Sequence, residues 1–218
     1  MHMSNDTFPS SPDNVCASFD YNPIKEGSRF DVYKASMFYA RNYESMEKAV
    51  VKASRSSHAD EAFWDKYLKI LETASHSSSQ FKEELHKHKH HPHGIIFPKC
   101  YVSAMDSTSS KLNSFFGHMK GYRKHIKKDE YVLIEPHIEG HWERYVNCDG
   151  TILENCPEIL QAFCHFTYYH SDGELMITGL KGSFHEGHYN LTVPNIHSSS
   201  HMYGQNDVGM DGIMNSLI

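Results

Sequence analysis

The 218-residue chain has no apolar run long enough to cross a bilayer, which excludes a helical membrane span within it. The opening MHMSNDTFPSSPDN lacks the apolar core of a signal peptide, and the composition is of the cytoplasmic type, with the compartment left open. Cysteine is scarce. The five present (Cys16, Cys100, Cys148, Cys156 and Cys164) are odd in number and show no CxxC spacing, so reduced thiols are expected rather than a disulfide framework. Positive charge is not in excess either: 21 Lys and Arg stand against 27 Asp and Glu, a net charge of -6, which gives no general attraction to nucleic acid or an anionic membrane. No Ser-His-Asp order and no HExxH motif stands out. Hydrophobic residues make up 39% and charged residues 22%, the balance of a folded globular chain.

Histidine, by contrast, is abundant at 18 residues. Several lie in HKHKHHPHG (86–94), either a solvated helix end stopped by Pro92 and Gly94 or a catcher of stray metal. Residues 1–14 are polar and rich in Ser, Pro and Asn, as in a flexible tail. From Tyr21, NPIKEGSRFDVYKASMFY alternates apolar and polar residues around Gly27 and predicts a hairpin turning at KEGS. KAVVKAS (48–54) reads as a strand. Phe63, Tyr67, Ile70, Leu71 and Ala74 then fall at helical spacing behind the acids Asp60 and Glu61. Serine-rich SHSSSQ is expected to break that helix before a second one at FKEELHKH.

Strand patterns return at 94–105 and 130–138, separated by a polar and then basic stretch with Lys120, Arg123, Lys124, Lys127 and Lys128. That cluster is either a phosphate contact or a solvated face. CPEILQAFCHFTYYHS has Pro157 at a helix start and apolar residues on several faces, so a buried helix is predicted. A turn at SDGE and a strand LMITGL follow. The whole reads as α+β in two lobes, the first mostly sheet. The expected bounds are a tail at 1–14, an N-lobe at about 15–134 and a C-lobe at about 135–218.

Several residues could carry chemistry. Lys52 is a strand lysine that either holds phosphate or is simply solvated. Glu135-Pro136 closes a strand, where proline removes an N–H and fixes the backbone, suiting a connector between lobes. Gly204, Gly209 and Gly212 in YGQNDVGMDGI permit close backbone approach to a phosphate or peptide, on a pattern that is weak alone. His165 and His197 either bind metal or make core hydrogen bonds. GLKGSFHEGHYNLTVPNIHS (179–198) has the layout of a site loop, yet carries Gly179, Lys181 and Val193 where acids would be sought.

In order, these pieces resemble the alpha-kinases, atypical serine/threonine protein kinases. YVLIEPHIEGHWERYVNCDGTI (131–152) is similar to their inter-lobe stretch E-x-x-I-x-G-x-F-x-K-Y-N. LQAFCHFTYYHSDGELMI (160–177) is similar to their central helix and next strand, NLTVPNIHS to L-T-D-P-x-I-H-S, and YGQNDVGMDGI to a glycine-rich F-G-x-x-N-L-G-x-x-G-I. The resemblance implies ATP in a cleft between lobes. Lys52 would hold the phosphates, Glu135 and His137 would sit at the adenine hinge, Gly204, Gly209 and Gly212 would line a glycine-rich loop, and Arg29 would lie near the nucleotide.

The departures all fall in one place. The family reads D-L-Q-G where this chain has Gly179-Leu180-Lys181-Gly182, and T-D-P where it has Thr192-Val193-Pro194. Gly and Val offer no side-chain oxygen to Mg²⁺ or to a proton, and Lys repels a cation. A degenerate member is therefore expected: ATP held without metal by Lys181, no catalytic residue, and a role in binding an unidentified protein, with homo-oligomers allowed. The other readings are an active kinase with substituted residues, Glu186 replacing a lost acid, and an interaction module without nucleotide. His165 matches one ligand of the family's structural zinc but the closing cysteines are missing from this sequence, so no zinc is expected.

Overall fold

The computed structural model describes residues 4–9, 15–39, 42–55, 59–90, 93–105, 126 and 130–217. It divides into two compact units, residues 1–65 with 99–137 and residues 66–98 with 138–218. The fold is mixed and two-lobed, with sheet dominating the first unit. The basic cluster at 120–128 lies outside the described residues.

The first unit is built on seven antiparallel strands: β1 (Ser4–Pro9), β2 (Val15–Asp20), β3 (Lys25–Glu26), β4 (Phe30–Tyr39), β5 (Asn42–Ser54), β7 (Tyr101–Met105) and β8 (Tyr131–Pro136). Their order is β2-β1-β7-β8-β5-β4-β3, and β2 also pairs with β4, so six strands close into a ring and β3 hangs outside it. Alternation explains the filling. Val15, Ala17 and Phe19, then Tyr33, Ala35 and Met37, then Ala49, Val51 and Ala53, then Val132 and Ile134 all point into one core. Val50, Lys52, Leu133 and Glu135 have the opposite parity and face outward from it.

The predicted hairpin is present. β3 pairs with β4 across Gly27, whose N–H donates to the Phe30 carbonyl at 2.9 Å. Arg55 ties the turn down, donating to the Gly27 carbonyl at 2.8 Å and lying 3.5 Å from both Glu26 and Asp31. The expected tail needs correction, because Ser4–Pro9 is a strand between β2 and β7. Its polar side chains hide it from a hydrophobic count. The partners' backbones hold it, and buried Thr7 accepts the Ala17 N–H at 2.9 Å.

Helix α1 (Glu61–Lys87) begins with Asp60 accepting the Phe63 N–H at 2.8 Å, an N-cap. The break expected at SHSSSQ does not occur. Ser77 and Ser78 are buried and prolong the stripe Ile70, Leu71, Ala74 to Phe81, and Ser78 Oγ donates to the Ile95 carbonyl at 2.5 Å. Small buried hydroxyls there let the strand β6 (Gly94–Ile96) lie close to the helix. The histidine run follows a helix end at Lys87, with Lys89 in the left-handed region at φ 60°.

The second unit holds a four-stranded sheet, order β6-β12-β11-β9, from β9 (Trp142–Arg144), β11 (Lys181–His185) and β12 (His188–Leu191), and a two-stranded one, β10 (Leu175–Thr178) with β13 (Asn195–Ser198). Helix α2 (Glu158–His170) starts at Pro157 as expected, but buries one face only: Leu160, Phe163, Cys164 and Thr167 are inside, while Tyr169 is 73% exposed. Phe163 meets Phe81 at 5.6 Å and Phe97 at 6.1 Å between ring centroids. Thr167 Oγ accepts the Ile177 N–H at 3.0 Å and so fixes β10 against the helix. A last short helix, α3 (Met210–Asn215), buries Gly212 and Ile213.

Candidate functional site

Two charged centres stand out, one in each unit. In the first, β5 and β8 run antiparallel with Val50 opposite Glu135 and Lys52 opposite Leu133. Lys52 and Glu135 are thus diagonal neighbours on the outward face, and they form an ion pair with Glu135 only 1% exposed. Cys100, buried just before β7, belongs to the same centre. Burial first, and then the Glu135 carboxylate, push its thiol well above the ordinary value, with Lys52 pulling the other way. Lys52 and Glu135 are candidates from the sequence alone, whereas Cys100 is there one of five expected reduced thiols and only the fold brings it to this centre. His137 is exposed and attached by its N–H to the Lys48 carbonyl at 3.0 Å. Arg29 lies over the Phe30 ring at 5.8 Å, in the β3–β4 turn.

The second centre is assembled from the ends of β10, β11 and β13 and the loop before α3. Gly179 has φ 66° and donates its N–H to the Asn147 carbonyl at 3.0 Å. A Cβ at 179 would lie 3.0 Å from Asn195 Cβ and 3.3 Å from Cys148 Sγ, tighter than side chains normally pack. The neighbouring polar groups bond to one another. The Cys148 carbonyl accepts from Thr178 Oγ at 3.0 Å, from Asn195 Nδ2 at 3.3 Å and from His197 Nε2 at 2.7 Å. His197 Nδ1 accepts the Val208 N–H at 3.3 Å, so Nε2 is the nitrogen that donates to the Cys148 carbonyl. Lys181 opens β11 and Val193 is half-buried just before Pro194.

Asp207, overlooked in the sequence, organises the loop. Its carboxylate accepts from Ser198 N at 2.7 Å, Ser198 Oγ at 2.6 Å, Tyr203 N at 3.1 Å and Gly209 N at 3.1 Å. Burial alone would raise its pKa, but the bonds from Ser198, Tyr203 and Gly209 outweigh it and hold the carboxyl below the usual value. The signal available in the sequence was an Asp two residues before a Gly, the spacing of an Asx turn. Two of the three glycines have a packing reason as well. A Cβ at Gly212 would fall on the His197 ring and one at Gly209 on the His201 ring; Gly204 has φ 88° with Lys66 Cδ 3.3 Å from its Cβ position.

The stretch expected as a site loop is largely strand. β11 and β12 form a hairpin whose two-residue turn is Glu186-Gly187, at φ 49° and 79°. Glu186 therefore projects from the tip, 84% exposed at its side chain, and strand rise places it roughly 15 Å from Lys181. His165 is half-buried on α2. Among the described residues, no three His, Cys, Asp or Glu side chains converge as metal ligands. The residues present do not fit Mg²⁺ at 179, 181 and 193, since none offers a carboxylate. Among the described residues no helix is long and apolar enough to cross a membrane.

Residues 25–216 match the sequence profile of the alpha-kinase family. The chain belongs to that family. Among curated proteins, alpha-protein kinase vwkA of Dictyostelium discoideum is 34% identical over 93 residues, 42% of this chain and 15% of that protein. Myosin heavy chain kinase B of the same organism is 34% identical over 79 residues, 36% of this chain and 10% of that protein. The aligned part is thus well under a fifth of the length of either relative. Solved alpha-kinase domains share the fold. An alpha kinase from Entamoeba histolytica superposes with a TM-score of 0.69 at 16% identity, covering 98% of this chain and 84% of that one. The alpha-kinase domain of myosin-II heavy chain kinase A, in complex with AMP-PNP, superposes with 0.69 at 17% identity, covering 99% and 90%.

Proposed function

We propose that this alpha-kinase-family chain is a pseudokinase: it binds ATP without a divalent ion, does not transfer phosphate, and acts by binding another protein as regulator, scaffold or decoy. Lys52 contacts the phosphates, and Glu135 holds its ammonium in place. Lys181 supplies fixed positive charge in place of a metal, and the loop with Gly204, Gly209 and Gly212 lines the nucleotide's path. The domain proposed takes in β1 and so reaches back at least to Ser4.

One observation carries this reading. At position 179, where the family pattern has Asp, the Cβ direction is closed by Asn195 and Cys148, and the Cys148 carbonyl is taken up by Thr178, Asn195 and His197. No carboxylate stands at 179, 181 or 193 to receive Mg²⁺ or position an attacking hydroxyl, the two tasks phosphoryl transfer requires, and this supports the loss of transfer. Glu186 gives the active-kinase reading no support from the tip of its hairpin. The test is transfer of labelled phosphate from ATP to the chain itself and to a generic basic protein, with Mg²⁺ or Mn²⁺. No incorporation above a heat-treated control is expected. Incorporation that K52A abolishes would sink the proposal and favour an active kinase using substituted residues.

A further inference from the structure

The hairpin of β11 and β12 ends in His185-Glu186-Gly187-His188, and its register sets His185 directly opposite His188. Opposed residues of an antiparallel pair project to the same side with Cβ atoms about 5 Å apart, a spacing that lets two imidazole rings meet at one point. Glu186 Oε1 lies 3.9 Å from His185 Nε2. His185 and Glu186 are 43% and 84% exposed at their side chains, and His188 is exposed too. Two imidazoles and a carboxylate thus share one short tip, and these are donors of the kind that hold transition metals. Strand rise separates the tip from Lys181 by roughly 15 Å, so it is not part of the centre at the ends of β10, β11 and β13.

Two features of the backbone fit a ligand better than a plain turn. Glu186 has φ 49°, in the left-handed region where two-residue hairpins take Asn, Asp or Gly, so a longer acid sits there against local preference. Gly94 of β6 pairs with His188, and a Cβ at 94 would lie 3.0 Å from His188 Nδ1, so glycine leaves the ring its room. That ring leans over Gly94, and no three ligating side chains converge among the described residues. Exposed side chains change rotamer on the picosecond to nanosecond scale, so a turn of the His188 ring toward His185 closes the set without moving the backbone. We infer that His185, His188 and Glu186 form a site for a divalent transition cation, with Cu²⁺ held more tightly than Zn²⁺. Imidazole nitrogen suits both ions, whereas Mg²⁺ demands oxygen donors. The paired strands preset the backbone, so binding orders only three side chains. The site does not depend on the nucleotide reading above.

The test titrates CuCl2, ZnCl2 and MgCl2 separately into the full chain, freed of metal beforehand, following heat and the imidazole proton signals in NMR. The variants are H185Q, H188Q, E186Q and the double H185Q/H188Q. The triple H86Q/H88Q/H90Q is the control on the histidine run at 86–94. The first Cu²⁺ should bind more tightly than the first Zn²⁺, and Mg²⁺ should not bind at the tip. Losing a ligand costs at least as much as losing an outer partner, so H185Q and H188Q should each weaken Zn²⁺ about tenfold or more. E186Q should weaken it less, the double variant should lose it, and the triple variant should bind as the unaltered chain does. Circular dichroism and melting temperature confirm that each variant is folded. Zn²⁺ binding that survives in H185Q/H188Q and falls in the triple variant would mean adventitious capture by the histidine run and overturn the site. Absence of Zn²⁺ binding to the unaltered chain would overturn it as well.

Discussion

The two units bury acid in different ways. In the first, Glu135 is inside with Lys52, charge against charge. In the second, Asp207 is inside with N–H and O–H donors around it and no cation among those partners. A buried ion pair carries a desolvation cost that a packed apolar pair avoids, so it is weak as a device for stability. A carboxylate wrapped by local donors is an efficient staple for a loop. Phosphate binding is proposed for the Lys52 of the first arrangement, whereas the second fixes a loop. In keeping with this, positions 179, 181 and 193 carry no acid.

The largest effect that separates the two is removal of Lys52. K52A leaves Glu135 buried without its ammonium and should cost about 3–5 kcal/mol in urea unfolding. The double replacement K52M/E135L should cost clearly less than K52A; equal losses would mean that the pair is a net stabiliser. Next, D207N puts an amide among donors that need an acceptor, and should cost about 1–3 kcal/mol. The sign of its pH dependence follows from the depressed folded value. The stabilisation is present above the unfolded value of 3.8 and is lost as pH falls toward the lower folded one. Melting temperature should therefore drop more steeply below about pH 4 in the unaltered chain than in D207N.

Smaller effects compare glycines. G212A drives a methyl into the His197 ring and should cost about 1–3 kcal/mol by overpacking. G187A, with nothing within 4 Å of the new atom, should cost only the strain of its φ of 79°, about 1 kcal/mol. If thermal denaturation ranks these two the other way, the close packing of the second centre is wrong.

The elements best read from sequence were those whose pattern is local. Gly27 announced the hairpin, Asp60 the start of α1 and Pro157 the start of α2. What failed depended on partners distant in sequence. Ser77 and Ser78 look like breakers until β6 is seen to need their small size, and Ser4–Pro9 becomes a strand only because β2 and β7 flank it. The β11–β12 hairpin reads as a loop in the sequence because its glycines and histidines mask two short strands. In the sites, Lys52 and Glu135 were visible as residue types, but their pairing needed the β5–β8 register. His185 opposite His188 required the register of β11 and β12. Asp207 carries no signal of its own beyond its spacing to Gly209, because its donors Ser198 and Tyr203 are brought to it by the loop's fold.

Nucleotide binding without metal is tested by calorimetric titration of ATP into the chain in EDTA and again with excess Mg²⁺. Binding is expected in EDTA, and Mg²⁺ should not strengthen it. Binding that appears only with Mg²⁺, or no binding in either buffer, would contradict that reading.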